Sequence, residues 1–209
     1  KDAVVLFNGG CTAEFISKDG LLLTNHHCGD YFIQSHSTVE NNLLAQGFWA
    51  KSKEEELPNK SIRISVLLTM TDISEYVLKG YVPSMSNSER ELLVYNNSEI
   101  LIKAVTEDTD LKAEIESFFS GNQYFMFVYR EYKDVRLVAA PPVSIGNFGG
   151  DTDNWEWPRH NGDFCLFRVY SDSLNGPANY SISNKPYNPL HSLKINTKGF
   201  KEGDFTMVC

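Results

Sequence analysis

The chain has 209 residues, 42% of them hydrophobic and 12% aromatic, enough for about one to two domains around a sizeable core. Its formal net charge of −8 excludes the basic surface that a nucleic-acid partner requires. No apolar run approaches the roughly 20 residues needed to span a bilayer.

Thirteen Phe and ten Tyr, beside many Val, Ile and Leu, lean toward β-structure. Residues 3–7 read as a strand directly after Lys1, so an export signal is expected to have been removed or to lie outside this sequence. Apolar residues 13–16 and 21–24 flank Ser17-Lys18-Asp19-Gly20 and read as a hairpin, because Gly20 takes positive φ without steric cost. Glu54-Glu55-Glu56 reads as a short solvated face, and residues 62–69 as a further strand. Ser86 with Glu89 has the form of a capping box and opens a helix to about Val105, with Asn96-Asn97-Ser98 expected to break or weaken it. Asp110 is expected to cap a second helix, with Leu111, Ile115, Phe118 and Phe119 on one face and Gly121 as its stop. Residues 124–130 and 135–139 read as a hairpin, and residues 164–170 and 205–208 as the last strands. Strands, a helical excursion over about 71–121, then strands again fit a mainly β barrel or sandwich with a helical insertion. The sequence shows no internal repeat. Gly203-Asp204-Phe205 looks like a turn entering a core strand, so the chain is expected to stop short of its natural end at Cys209.

Two stretches carry chemistry. Thr24-Asn25-His26-His27-Cys28 follows an apolar strand, with Cys11 on the strand before it. Four cysteines (Cys11, Cys28, Cys165 and Cys209) suit either disulfides or reduced thiols. The paired histidines are read either as a general base with its neighbour, as buried hydrogen-bonding groups, or with Asp163 as a metal site. Neither HxxxH nor CxxC is present to strengthen the metal reading. The second stretch, residues 146–164, combines glycines, acids, two tryptophans, Arg159 and His160 ahead of a core strand. Loops anchored on a rigid barrel are where binding and catalytic groups gather. Asp163 stands at the strand edge, where a carboxylate can accept a histidine Nδ1 proton and fix its tautomer. Asp151 and Asp153 are read as either a site for a cationic substrate group or solvated acids.

The His27-Cys28 stretch resembles the chymotrypsin arrangement. That resemblance implies a Cys11–Cys28 bridge worth on the order of 3 kcal/mol, holding the histidine-bearing segment to the preceding strand. More specifically, residues 11–28, 29–50 and 146–164, with CTAEFISKDGLLLTNHHC and GNFGGDTDNWEWPRHNGDF at their heart, resemble the bacterial dipeptidyl-peptidase 7 and dipeptidyl-peptidase 11 family. The family resemblance implies exported serine exopeptidases, periplasmic or at the cell surface. They are homodimers with a chymotrypsin-like (trypsin-like) double β-barrel and an inserted helical domain. They release dipeptides from peptides with a free N-terminus, and neither cofactor nor metal is implied. By motif, His27 is then the general base, Asp163 its orienting partner, and Asn154 and Trp155 the holders of the substrate α-amino group. Residues 1–209 are the N-terminal part of the catalytic domain, with the inserted domain and nucleophile-bearing barrel outside. No Gly-x-Ser-x-Gly or Gly-Asp-Ser-Gly occurs, so the chain alone is expected to be inactive. The competing expectation is a non-catalytic barrel homologue that binds peptides. Cys165 and Cys209 are read as buried free thiols, or as partners of one another.

Overall fold

The computed structural model describes residues 2–153, 157 and 160–207; these fall into two compact units, one of the described residues up to 65 and from 132 onward, the other of residues 66–131. In chain order, β1 (Val4–Phe7), β2 (Cys11–Phe15) and β3 (Leu21–Thr24) lead into α1 (His26–Gln34), α2 (Leu43–Gln46), β4 (Phe48–Trp49) and β5 (Leu57–Pro58). Next come β6 (Ile64–Asp72), α3 (Ser74–Val77), α4 (Asn87–Thr106), β7 (Leu111–Phe118) and β8 (Gln123–Tyr132). The chain closes with β9 (Asp134–Ala140), α5 (Val143–Gly146), α6 (Gly150–Asp153), β10 (Cys165–Ser171) and β11 (Lys185–Pro186).

The first unit is an antiparallel sheet in the order β4-β9-β10-β3-β2-β1, with β5 also on β9 and β11 on β10. Strict alternation along β1 and β3 sends every second side chain inward. Phe7, Phe15, Leu22, Leu137, Phe167 and Val169 form the fully buried layer, and the Phe7 and Phe167 rings meet at 5.0 Å. Gly20 turns β2 into β3 at φ +64°, and a Cβ there would come within 2.7 Å of the Val169 carbonyl oxygen. Both the conformation and the close approach therefore demand glycine.

Glu56 departs from the solvated face expected of it. It is buried, accepting from Arg168 Nε at 2.8 Å and from the Tyr170 hydroxyl at 2.8 Å, while Glu54 and Glu55 stay exposed. Its partner lies 112 residues away, so no local pattern reveals the pairing. Burial, then the hydrogen bond to Glu56, pushes the Tyr170 hydroxyl well above its usual range. The Arg136 guanidinium covers the Tyr170 ring at 3.6 Å and pairs with Asp134 through both Nε and Nη2.

The second unit holds α3, α4 and the β7–β8 hairpin around Ile73, Val77, Ala113, Tyr124, Met126 and Val128. The capping box at Ser86 and Glu89 is present, and α4 then runs unbroken for 20 residues. Asn97 does not interrupt it, because its side-chain amide donates to the Val77 and Lys79 carbonyls and ties α4 to the end of α3. The second helix expected from Asp110 is strand β7. Leu111, Ala113 and Ile115 alternate with Lys112, Glu114 and Glu116, and this period of two prevails over the helical spacing of Leu111 and Ile115. β7 pairs with β8 from Leu111↔Arg130 to Phe118↔Gln123. β8 and β9, read as one hairpin from the sequence, pair instead with different strands: β8 with β7, and β9 with β10, β4 and β5. Residues 205–207, expected in a core strand, form none, and Phe205 and Met207 are exposed. The observed class is mainly β with a helical insertion. Among the described residues, no helix is long and apolar enough to cross a membrane.

Candidate active site

Sheet register assembles the site. β3 and β10 run antiparallel with Thr24 opposite Cys165. The residues that follow Thr24 and those that precede Cys165 therefore emerge at the same end of the sheet. Asn25, His26 and His27 thus meet Asp163 across 136 to 138 positions of sequence.

His27 Nδ1 lies 2.9 Å from Asp163 Oδ2, and the His27 backbone N–H donates to Asp163 Oδ1 at 3.2 Å. An ionised carboxylate only accepts, so Nδ1 carries the hydrogen and Nε2 is left as the basic nitrogen. The imidazole side chain is 62% exposed against 14% for Asp163. The carboxylate is thus sheltered while the ring faces outward. The Asn25 amide adds a third donor, to Asp163 Oδ2 at 3.1 Å and to the Asp163 backbone oxygen at 3.3 Å.

α1 begins at His26, so the amides of His26 and His27 are among the unpaired donors of its first turn. Asp163 sits against them as an external cap, where negative charge is favoured. Burial pushes the Asp163 carboxyl upward. The His27 amide, then the His27 ring and its charge, and then the His26 amide outweigh burial and hold it below the usual carboxylate range. The pair is therefore anionic at Asp163 throughout the neutral range.

The expected bridge is present: Cys11 at the start of β2 is bonded to Cys28 in the first turn of α1. The two sulfurs and one ring nitrogen of His27 all lie within 4.8 Å of one another, so the bridge packs beside the imidazole. With both sulfurs consumed in the bond, neither offers a thiolate to a metal. Replacing both cysteines by serine is expected to remove about 3 kcal/mol of stability for a separation of 17 residues. The midpoint of chemical denaturation reads this directly, and an unchanged midpoint would deny the bridge a stabilising role.

His26 serves a different purpose from His27. Its ring is fully buried, with Nε2 2.9 Å from the Pro141 oxygen and Nδ1 2.6 Å from Asp30 Oδ1, the latter out of line for a hydrogen bond. A Cβ on Gly146 would come within 2.5 Å of this ring, so α5 closes over it only because residue 146 is glycine. His26 is thereby committed to the 141–146 segment. Among the described residues, the ligand atoms of His26, His27 and Asp163 do not gather into one cluster.

Cys165 is fully buried, and its thiol donates to the Asn25 backbone oxygen at 3.1 Å. Burial pushes this thiol far above its ordinary value. Gly29 faces the sulfur, and a Cβ there would approach Sγ to 2.7 Å. Trp49 meets Phe164, the residue after Asp163, at 6.4 Å between ring centres. Neither Asn25 nor Trp49 was assigned a role from the sequence. Asn25 stands inside the motif directly before the histidines, but its partner is 138 residues away. Asn154 and Trp155 lie outside the described residues, as does Cys209.

Over residues 1–209 the chain matches Peptidase S46, and it belongs to that family. It is 52% identical to the Asp/Glu-specific dipeptidyl-peptidase of Capnocytophaga gingivalis, covering 100% of this chain and 29% of that protein. It is 46% identical to a dipeptidyl-peptidase 7 of the same organism, again over 100% of this chain and 29% of the relative. Among solved structures, DPP11 of Porphyromonas endodontalis in complex with the dipeptide Arg-Glu superposes with a TM-score of 0.85 at 46% identity, covering 97% of this chain and 31% of that one. The same protein in an alternate conformation gives a TM-score of 0.88 at 48% identity over 98% of this chain and 31% of the other. The chain thus spans less than a third of the length of these relatives.

Proposed function

We propose that this chain is the general-base portion of a serine-type dipeptidyl-peptidase that releases dipeptides from peptides with a free N-terminus. The observation that carries this reading is the His27–Asp163 pair, with Nδ1 held at 2.9 Å and the ring outward. Membership of a family whose relatives are named dipeptidyl-peptidases supports it.

The nucleophilic serine and the oxyanion-stabilising donors come from sequence outside residues 1–209, so the 209-residue chain alone is inactive. His27 Nε2 takes the serine hydroxyl proton as the oxygen attacks the carbonyl of the second peptide bond. The imidazolium then gives that proton to the leaving amine, and water, activated in turn by His27, hydrolyses the acyl-enzyme. Asp163 stays ionised throughout, holding the tautomer and stabilising the imidazolium. Asn154 and Trp155 hold the substrate ammonium, which sets cleavage two residues from the amino end because a longer chain leaves those groups unpaired. A disulfide beside the base suits an oxidising compartment, so the enzyme is exported, periplasmic or at the cell surface. It acts as a homodimer.

The test is a matched pair of peptides incubated with the full-length protein, one with a free amino terminus and one N-acetylated. Dipeptides should appear from the first alone. Equal cleavage of both, or of neither, contradicts the reading.

A further inference from the structure

Asn25 occupies the N-cap position of α1, with the extended backbone that position requires (φ −70°, ψ 149°). Asparagine is favoured there because its side-chain oxygen accepts an amide hydrogen from the first turn. Asn25 makes no such bond. Its side chain is turned the other way, with Nδ2 donating to Asp163 Oδ2 at 3.1 Å and to the Asp163 backbone oxygen at 3.3 Å. Both partners are acceptors, so only the nitrogen of the amide can face them.

The vacated cap is filled by Asp163 itself, whose Oδ1 accepts from the His27 amide at 3.2 Å. Asn25 therefore gives up a stabilising local bond and holds in its place the group that performs it. It grips Asp163 at two atoms, one on the side chain and one on the backbone, and so restricts both the rotamer and the approach of the chain. The Oδ2 atom it holds is the one facing His27 Nδ1. Asn25 is itself held from behind, because its carbonyl accepts from the buried Cys165 thiol at 3.1 Å, in space left open by Gly29. This gives the unpaired cysteine two residues past Asp163 a use. The whole set closes a ring from Cys165 at the start of β10, through the start of α1, back to Asp163 two residues before β10.

We infer that Asn25 is a positioning residue that fixes the Asp163 carboxylate against His27. The inference rests on the roles proposed above for His27 and Asp163. Asn25 touches neither the reacting proton nor the substrate; it acts through Asp163.

The test uses the full-length enzyme and a double-mutant design. Asn25→Ala lowers kcat for dipeptide release on the order of 10- to 100-fold, as expected for a misplaced catalytic group, while KM stays within about two-fold. In an Asp163→Ala background the same substitution changes kcat by less than about two-fold, since no carboxylate is left to hold. Asn25→Asp keeps the side chain's shape but replaces the donor that reaches Asp163 by an acceptor. It also sets two carboxylates face to face, so kcat falls at least as far as in Asn25→Ala. Equal losses in the two backgrounds, or wild-type turnover in Asn25→Ala, overturn the assignment. His27→Ala is measured alongside. If that variant turns over normally, the proposed function fails. If it is inactive while Asn25→Ala is unaffected, only the role of Asn25 fails.

Discussion

On the proposed function, replacing His27 by alanine in the full-length protein should reduce kcat for dipeptide release by on the order of 10⁴- to 10⁶-fold while leaving the fold intact. The size follows from what the ring does. In the proposed mechanism its loss leaves the serine hydroxyl without an acceptor for its proton and the leaving amine without a donor, and removing the base of such a unit costs about as much as removing the whole unit. The fold should tolerate the change because the imidazole is largely exposed and its backbone amide, which contacts Asp163 Oδ1, survives the substitution. Turnover is read with a dipeptidyl substrate, and the melting temperature is checked in parallel. Turnover within ten-fold or so of the wild type would remove His27 from the mechanism.

Asp163→Asn should be nearly as damaging, costing about 10⁴-fold in kcat with little change in KM. The amide is close in shape to the carboxylate but can present an N–H to Nδ1. It then favours the tautomer with hydrogen on Nε2, which is the wrong one for a base. A second effect concerns pH. The folded state holds the Asp163 carboxyl below its usual range. Its contribution to stability is therefore complete above the unfolded-state value and is lost only as pH falls through the lower folded-state one. The Asp163 carboxylate therefore stays ionised in weakly acidic solution. In Asp163→Asn, stability should stop depending on pH through this carboxyl, which a pair of acid-denaturation curves measures.

Much of this site is legible in the sequence because its parts are local. The turn at Gly20, the apolar run into Thr24 and the His27-Cys28 step are all set by near neighbours. Asp163 stands out because it opens a strongly apolar strand. What the sequence hides is pairing at long range between residues that each look ordinary. Glu56 reads as one of three surface acids until Arg168 and Tyr170 arrive from β10. Asn25 carries no assigned role in the sequence, yet in the fold it stands at the N-cap of α1 while Asp163 takes both the cap bond and the Asn25 amide. The helix expected over 110–121 was misread for a different reason. Residues 111 and 115 fit both periods, and the deciding residue is small Ala113, buried against the partner strand β8.

The most direct test of the central claim is to label the full-length protein with a fluorophosphonate and map the modified residue by mass spectrometry, with His27→Ala as the comparison. A base at His27 serving a serine outside this chain predicts one modified serine beyond residues 1–209, with labelling strongly slowed in His27→Ala. A labelled residue within 1–209, or labelling of equal rate in both proteins, would contradict it.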